Sequence, residues 1–189
     1  MRKIPTIFDR DYGDGKRGKH YVIDKPITTL PETAMATEKL DGTNVRVTVR
    51  SGGVVRLEKR RNPDRHQKKL GITEPWYTHV NPLYPEDKWL FEAMANTSFE
   101  YTKDGEYSGE AIGPKIQGNP LGLKKHQIYL FEERMLFAIK LSVPTLEYDD
   151  LRDFLKTRKS FLNQEVGIEG IVWWFAGQPV GKIKAGDFE

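Results

Sequence analysis

The residues in this sequence best suited to chemistry are lysines set beside turn and strand signals. Lys39 opens the stretch Lys39-Leu40-Asp41-Gly42-Thr43-Asn44, one amine followed by Asp-Gly and the start of a strand. Near the end of the chain Lys182 and Lys184 stand two residues apart in a strand-like run. They therefore share one face and could hold an anion together, while Ile183 points the other way. Each feature has a plainer account. Asp-Gly ahead of alternating residues is a tight-turn signal, and lysines blunt exposed edge strands. Lys-x-Asp-Gly arises by chance in roughly one chain in twenty-five of this length at average residue usage. A basic stretch of Arg56, Lys59, Arg60, Arg61, Arg65, Lys68 and Lys69, diluted by Glu58 and Asp64, could meet phosphates or form a solvated loop. Trp76 and Tyr77 could stack on bases or, more simply, anchor a loop to the core. His66 and His79 have no partner at metal-ligand spacing, and the absence of cysteine excludes disulfides and thiolate metal sites.

Positioning these residues requires a largely β framework. Thr33 to Glu38 reads as a short strand leading into Lys39, which then lies in a loop. Thr43 to Arg50 leaves that loop, with Val45, Val47 and Val49 alternating with Arg46, Thr48 and Arg50. Ser51-Gly52-Gly53 turns it into a hairpin partner, Val54 to Lys59. A long connection over 61–85 carries Pro63, Pro75, Pro82 and Pro85. Glu86 to Tyr101 predicts a helix whose apolar stripe is Trp89, Leu90, Ala93, Met94 and Thr97. Strands are expected over Glu106 to Ile112, Gln127 to Glu132 and Phe137 to Leu141. A second helix, opened by Thr145 or Asp149, has Leu146, Leu151, Phe154 and Leu155 as its stripe. The last hairpin joins Gly170–Phe175 to Val180–Ala185 through Ala176-Gly177-Gln178-Pro179. Residues 1–32 mix the turn formers Gly13, Gly15, Gly18, Pro26 and Pro31 with Ile4, Ile7 and Phe8, which could pack on the domain. Arg10, Lys16, Arg17, Lys19 and His20 there could face solvent or a polyanion. The order predicts one α+β domain over residues 1–189, of mainly antiparallel sheets with flanking helices.

Composition narrows the class further. Hydrophobic residues at 38% and charged residues at 30% match a soluble globular protein. No apolar run reaches membrane-spanning length, and no apolar segment follows Met1-Arg2-Lys3-Ile4-Pro5 to form a signal peptide. An intracellular, cytoplasmic protein without a membrane partner is expected. The net charge of +3 is too small to indicate nucleic-acid binding by itself.

Taken in order, Lys39-Leu40-Asp41-Gly42, Lys59-Arg60, Gly109-Glu110, Tyr129-Leu130-Phe131-Glu132, Glu169-Gly170-Ile171-Val172 and Lys182-Ile183-Lys184 form a series. The series resembles the motifs of the covalent nucleotidyltransferase superfamily, which comprises DNA ligases, RNA ligases and mRNA capping enzymes. It runs from about Glu38 to Lys184. Asn44, at the sixth position of the lysine motif, and Gly109-Glu110-Ala111-Ile112-Gly113-Pro114 look like the RNA ligases, particularly the phage-type nick-sealing group. DNA ligases and capping enzymes usually carry arginine where Asn44 stands and add an OB-fold domain after the last lysine motif. Only Ala185 to Glu189 follow here, so no OB-fold is expected. The implied fold is the nucleotidyltransferase, ATP-grasp-like ligase core as a minimal adenylyltransferase domain.

The resemblance implies that Lys39 attacks the α-phosphate of ATP and becomes a lysine–AMP adduct. AMP then passes to an RNA 5′-phosphate, and a 3′-hydroxyl displaces it to seal the strand. Such a lysine must lose its proton, against an ordinary pKa of about 10.4, with help from burial and nearby cations. Lys182 and Lys184 would neutralise the α-phosphate oxygens. Glu110 and Glu169, each beside a glycine at a strand end, would bind ribose and help hold Mg²⁺ or Mn²⁺. Phe131 would stack on adenine, with Tyr129 as the substitute if the register differs by two. Arg60 would contact ribose or the RNA 5′-phosphate, Glu38 the adenine edge, and Asn44 a nucleotide phosphate or the RNA end. The expected partners are RNA with 5′-phosphate and 3′-hydroxyl ends and an RNA–DNA hybrid, handled by a monomer. The competing readings are an ATP-dependent DNA or polynucleotide ligase and a non-catalytic RNA-binding module of the same fold.

Overall fold

The structure, a computed structural model, describes residues 3–12 and 20–188. Gly13, Gly15, Lys16, Arg17, Gly18 and Lys19, read above as turn formers and candidate polyanion contacts, lie outside them. In chain order the elements are β1 (Phe8–Arg10), β2 (Val22–Pro26), β3 (Met35–Lys39), β4 (Thr43–Arg50), β5 (Gly53–Arg60), α1 (Arg65–Lys69), β6 (Tyr77–His79), α2 (Lys88–Ala95), β7 (Gly105–Ile112), β8 (Gln127–Leu130), α3 (Glu133–Ala138), α4 (Tyr148–Thr157), β9 (Gly170–Phe175) and β10 (Gln178–Lys184), closed by a 3₁₀ turn at Ala185–Asp187. Every ladder between these strands is antiparallel. With the helices this is the α+β class expected from the sequence. Among the described residues no helix is long and apolar enough to cross a membrane. The chain forms two compact units, Asp41–Glu132 and Lys3–Leu40 with Glu133–Glu189, called here the central and the terminal unit.

The terminal unit is built on the sheet β10-β9-β3. Its middle strand, Gly-Ile-Val-Trp-Trp-Phe, is an almost unbroken run of β-branched and aromatic residues, and all but Phe175 are buried. Ala36, Ile171, Trp173 and Ile183 face a core that Leu151 and Leu155 of α4 complete, four residues apart on one helix face. The hairpin between β9 and β10 is tighter than the four-residue loop expected. Ala176 and Gly177 turn it alone, at φ 47° and 73°, the positive values a two-residue hairpin matching the strand twist requires. The strand expected over Phe137 to Leu141 is half wrong. Glu133-Arg134-Met135-Leu136 are good helix formers and make α3, and only the residues after it run beside β3. There Glu38 N–H donates to Ile139 O and Leu141 N–H to Ala36 O, both at 2.9 Å.

The central unit is a five-stranded sheet in the order β6-β5-β4-β7-β8. Val45, Val47 and Val49 are fully buried on one face, packed with Leu57, Ile128 and Leu130 and with Leu90 and Ala93 of α2. The alternation in β4 thus sets which side chains meet the core and which are left for other work. Helix α2 is shorter than the expected Glu86 to Tyr101. It ends before Asn96-Thr97-Ser98, weak helix formers, and Thr97 Oγ1 instead donates to Ala93 O (2.7 Å) and accepts from Ile128 N–H (2.8 Å). The short helix α1 was not expected, although its capping box is in the sequence. Asp64 accepts from Gln67 N–H, and the Gln67 side chain accepts from Asp64 N–H.

Candidate active site

Strand pairing in the terminal unit sets Lys39, Gly170 and Lys184 in one row across three strands, and Thr37, Val172 and Lys182 in the next. Partners in a ladder point to the same side, so Lys39, Lys182 and Lys184 share the face opposite the core. Lys39 is the last residue of β3, paired with Gly170, not a loop residue as expected. Between the two outer lysines of the first row stands Glu169. Its Oε2 accepts from Lys39 Nζ at 2.5 Å and its Oε1 from Lys184 Nζ at 2.7 Å. Lys39 and Glu169 keep 18% and 15% of their side-chain surface, which screens them from bulk water but leaves them reachable. Gly170 beside them has no room for a side chain, since a Cβ would lie 2.2 Å from Ile183 O.

Two residues not singled out for the site hold β10 in place. Asp187 Oδ2 accepts from Lys184 N–H (3.0 Å), and its Oδ1 takes the Arg10 guanidinium, which also donates to His20 O (2.7 Å). Nothing in the spacing of Arg10 and Asp187 reveals this, because 177 residues separate them.

Glu38 pairs with Ile171, whose side chain is in the core, so its carboxyl lies on the face opposite Lys39. Its side chain is buried and accepts from Phe161 N–H at 2.8 Å. Burial pushes this carboxyl above the ordinary carboxylate range, opposed in part by hydrogen bonds from Ser160 and Phe161 and by the Arg158 charge.

In the central unit Asn44, Glu110 and Tyr129 are laterally paired across β4, β7 and β8, on the face opposite the valine core. By alternation Arg60 shares that face with Glu58, the partner of Arg46. Lys59 points to the other side, where its Nζ meets buried Asp87 at 2.5 Å. Asp87 also accepts from Asn81 N–H (2.8 Å). Asn44 Nδ2 donates to Gly109 O (3.0 Å) and to Glu110 Oε2 (3.4 Å), and its Oδ1 accepts from the Tyr77 hydroxyl (2.9 Å). The amide is thus fixed beside Glu110 on this face. Tyr77 is buried, which favours the anchoring account at that residue, while Trp76 is half-buried. Phe131 N–H donates to Ser108 O (2.9 Å), one residue past β8, and its side chain is half-buried.

The basic stretch is not one stripe. Arg56 pairs with Glu106, Lys59 with Asp87, and Arg61 donates to the carbonyls of Glu74 and Pro75, both at 3.0 Å. Arg46 grips Glu58 with two hydrogen bonds, 2.7 and 3.0 Å, which holds that carboxyl below its ordinary range.

Glu110 belongs to the central unit and Glu169 to the terminal unit. Among the described residues no three His, Cys, Asp or Glu side chains cluster as a metal site. The donor class still fits a hard divalent cation that arrives with phosphates and needs only one or two carboxylates. Each Glu169 oxygen already accepts from one lysine and keeps a second lone pair toward a cation.

No family model matches the chain, and no curated protein matches it. Among solved structures it is similar to a mutant Naegleria gruberi RNA ligase with ATP and Mn, at 19% identity and TM-score 0.45, over 80% of this chain and 48% of that one. It is also similar to a mutant of that ligase with AMP and Mn, at 17% identity and TM-score 0.43, over 80% of this chain and 48% of the other. The chain thus spans about half the length of the solved ligases it matches.

Proposed function

We propose that this chain is the adenylyltransferase core of an ATP-dependent RNA ligase of the covalent nucleotidyltransferase kind, a single catalytic domain handling 5′-phosphate and 3′-hydroxyl RNA ends. The observation that carries the reading is the Lys39–Glu169–Lys184 clamp on the sheet face shared with Lys182. Three lysines on one sheet face, two of them sharing Glu169, form a surface for a polyanion, and Gly170 beside Lys39 lets the β10 backbone close in so that the lysines stay in one row. A surface of unrelated lysines would not share one carboxylate across three strands.

In this reading Lys39 leaves Glu169 Oε2, gives a proton to solvent and attacks the α-phosphorus of ATP. A P–N bond forms from the amine lone pair as the bond from that phosphorus to the bridging oxygen breaks. The electron pair leaves on pyrophosphate, and a second proton leaves the nitrogen for solvent. Lys182 and Lys184 neutralise the phosphate oxygens where charge builds. Glu169 fixes the amine before attack, and Glu110 or Glu169 would hold the divalent cation that screens the phosphates when bound. Arg60 and Phe131 keep the roles the resemblance implies, a phosphate or ribose contact and a base platform.

The test is intact-protein mass after incubation with ATP and Mg²⁺, beside Lys39→Ala. The expected result is a gain of one AMP in the wild type alone. No gain with ATP or GTP, from protein shown not to be adenylylated already, overturns the reading. Nicked RNA, nicked DNA and an RNA–DNA hybrid, offered in parallel, then separate RNA ligase from polynucleotide ligase.

A further inference from the structure

The lysine face of the terminal unit does not end at β10. Pro5–Ile7 runs beside it, with Lys182 N–H donating to Pro5 O (2.9 Å) and Ile7 N–H to Lys182 O (3.0 Å). A covered strand needs no lysine to blunt its edge, so that account of Lys182 and Lys184 loses its basis. Beyond them, the segment from Lys3 to Tyr12 and Ile27 encloses a cavity of about 490 Å³ with the two lysines. The charged groups lining it are Lys3, Arg10, Lys182 and Lys184 against the single carboxylate of Asp9, and Asp9 is engaged by Lys25 at 2.8 Å. Arg10 is held at two points, by Asp187 and His20 O, so its guanidinium is already set in place. With Lys25, and with the Asp187 and Glu169 carboxylates that pair with Arg10 and Lys184, five cations face three carboxylates, and a net positive concave site of this size suits a compact anion.

We propose, resting on the ligase reading above, that this cavity holds the β- and γ-phosphates of the nucleotide and then the leaving pyrophosphate. Displacement at phosphorus is in line, so the leaving oxygen departs opposite the attacking nitrogen. Lys39 and Lys184 flank Gly170 in one row, which sets their backbones roughly 9–10 Å apart at ordinary strand spacing. A phosphorus attacked over Gly170 from the Lys39 side expels its leaving group toward β10 and the segment Lys3–Arg10 beyond it. The bond made and the bond broken are those already written, and the pyrophosphate takes the electron pair. The N-terminal segment is then part of the nucleotide site and not a packing strand alone.

The experiment uses Lys3→Glu and Ile27→Asp. Both positions are exposed, so the fold should tolerate a new carboxylate facing the cavity, and Lys3→Arg should behave as wild type. Adenylylated protein is treated with magnesium pyrophosphate, and release of ATP is followed against concentration. Losing one charge-assisted contact in Lys3→Glu, or adding a repelling carboxylate in Ile27→Asp, should raise the half-effective pyrophosphate concentration about tenfold, with a similar rise in the ATP needed for adenylylation. Joining of a pre-adenylylated RNA end, which involves no pyrophosphate, should be unchanged. Wild-type pyrophosphate dependence in both carboxylate variants overturns the proposal and leaves the ligase reading standing. So does a defect confined to the pre-adenylylated joining step, which would assign the cavity to the RNA strand. Failure of the wild type to form any AMP adduct overturns the ligase reading, and this subsite with it.

Discussion

A single carboxylate decides much at the residue scale. Glu169 binds two lysines at once, and in the proposed function Lys39 must leave it before attack, whereas Lys184, with three donors, can keep it while meeting a phosphate. Glu38, one residue before Lys39, sits on the opposite face with its carboxyl pushed up by burial. A carboxyl whose folded pKa is raised favours the folded state fully below its ordinary value and loses that contribution as pH rises through the raised value. At neutral pH the Glu38 charge therefore costs stability. Glu38→Gln keeps an acceptor for Phe161 N–H and removes the charge. Its urea midpoint should exceed that of the wild type near pH 7, and the difference should vanish toward pH 4. A difference independent of pH would show that the buried charge is not the cause.

Elements in this chain act through close approach. The strands β9 and β10 come together at Gly170, where a Cβ would meet Ile183 O at 2.2 Å. Backbone cannot yield as a flexible side chain can, so Gly170→Ala should cost at least about 1–3 kcal/mol. It should also shift Glu169, the next residue, away from Lys39 and Lys184. Chemical denaturation with adenylylation measured in parallel checks both. A variant of wild-type stability and rate would mean the strands can part at no cost. The same scale explains the errors in the expected elements. Phe137–Leu141 has strand composition, but the helix formers before it run on through Ala138. The Asp64–Gln67 capping box was legible, yet it lies inside a proline-rich stretch that reads as a loop.

For the whole molecule the proposed function means that ATP binding and folding are linked. Nucleotide with Mg²⁺ at about 100 times its Kd should add about 2.7 kcal/mol, a rise in Tm of roughly 5–11 °C for a chain of this size. Lys182→Met should lose most of that rise, whereas Lys39→Ala should keep much of it, because in the proposed function one anchors the phosphates and the other supplies the nucleophile. Equal shifts in the two variants would contradict this division of roles. The sequence by itself determined the strands β4, β7 and β9 to within a residue or so, the α+β class, and the facing of Lys182 and Lys184, since period-two alternation is a local property that each strand carries in its own residues. It also showed which residues were candidates, through short motifs in order. Only the tertiary structure decided where they are placed. It joined Lys39 to Glu169 across 130 positions, turned Glu38 to the core, gave Asn44 to Tyr77 and Gly109, and brought Lys3 and Arg10 beside Lys182. These outcomes depend on strand order and register between segments far apart in the chain, which no local pattern encodes.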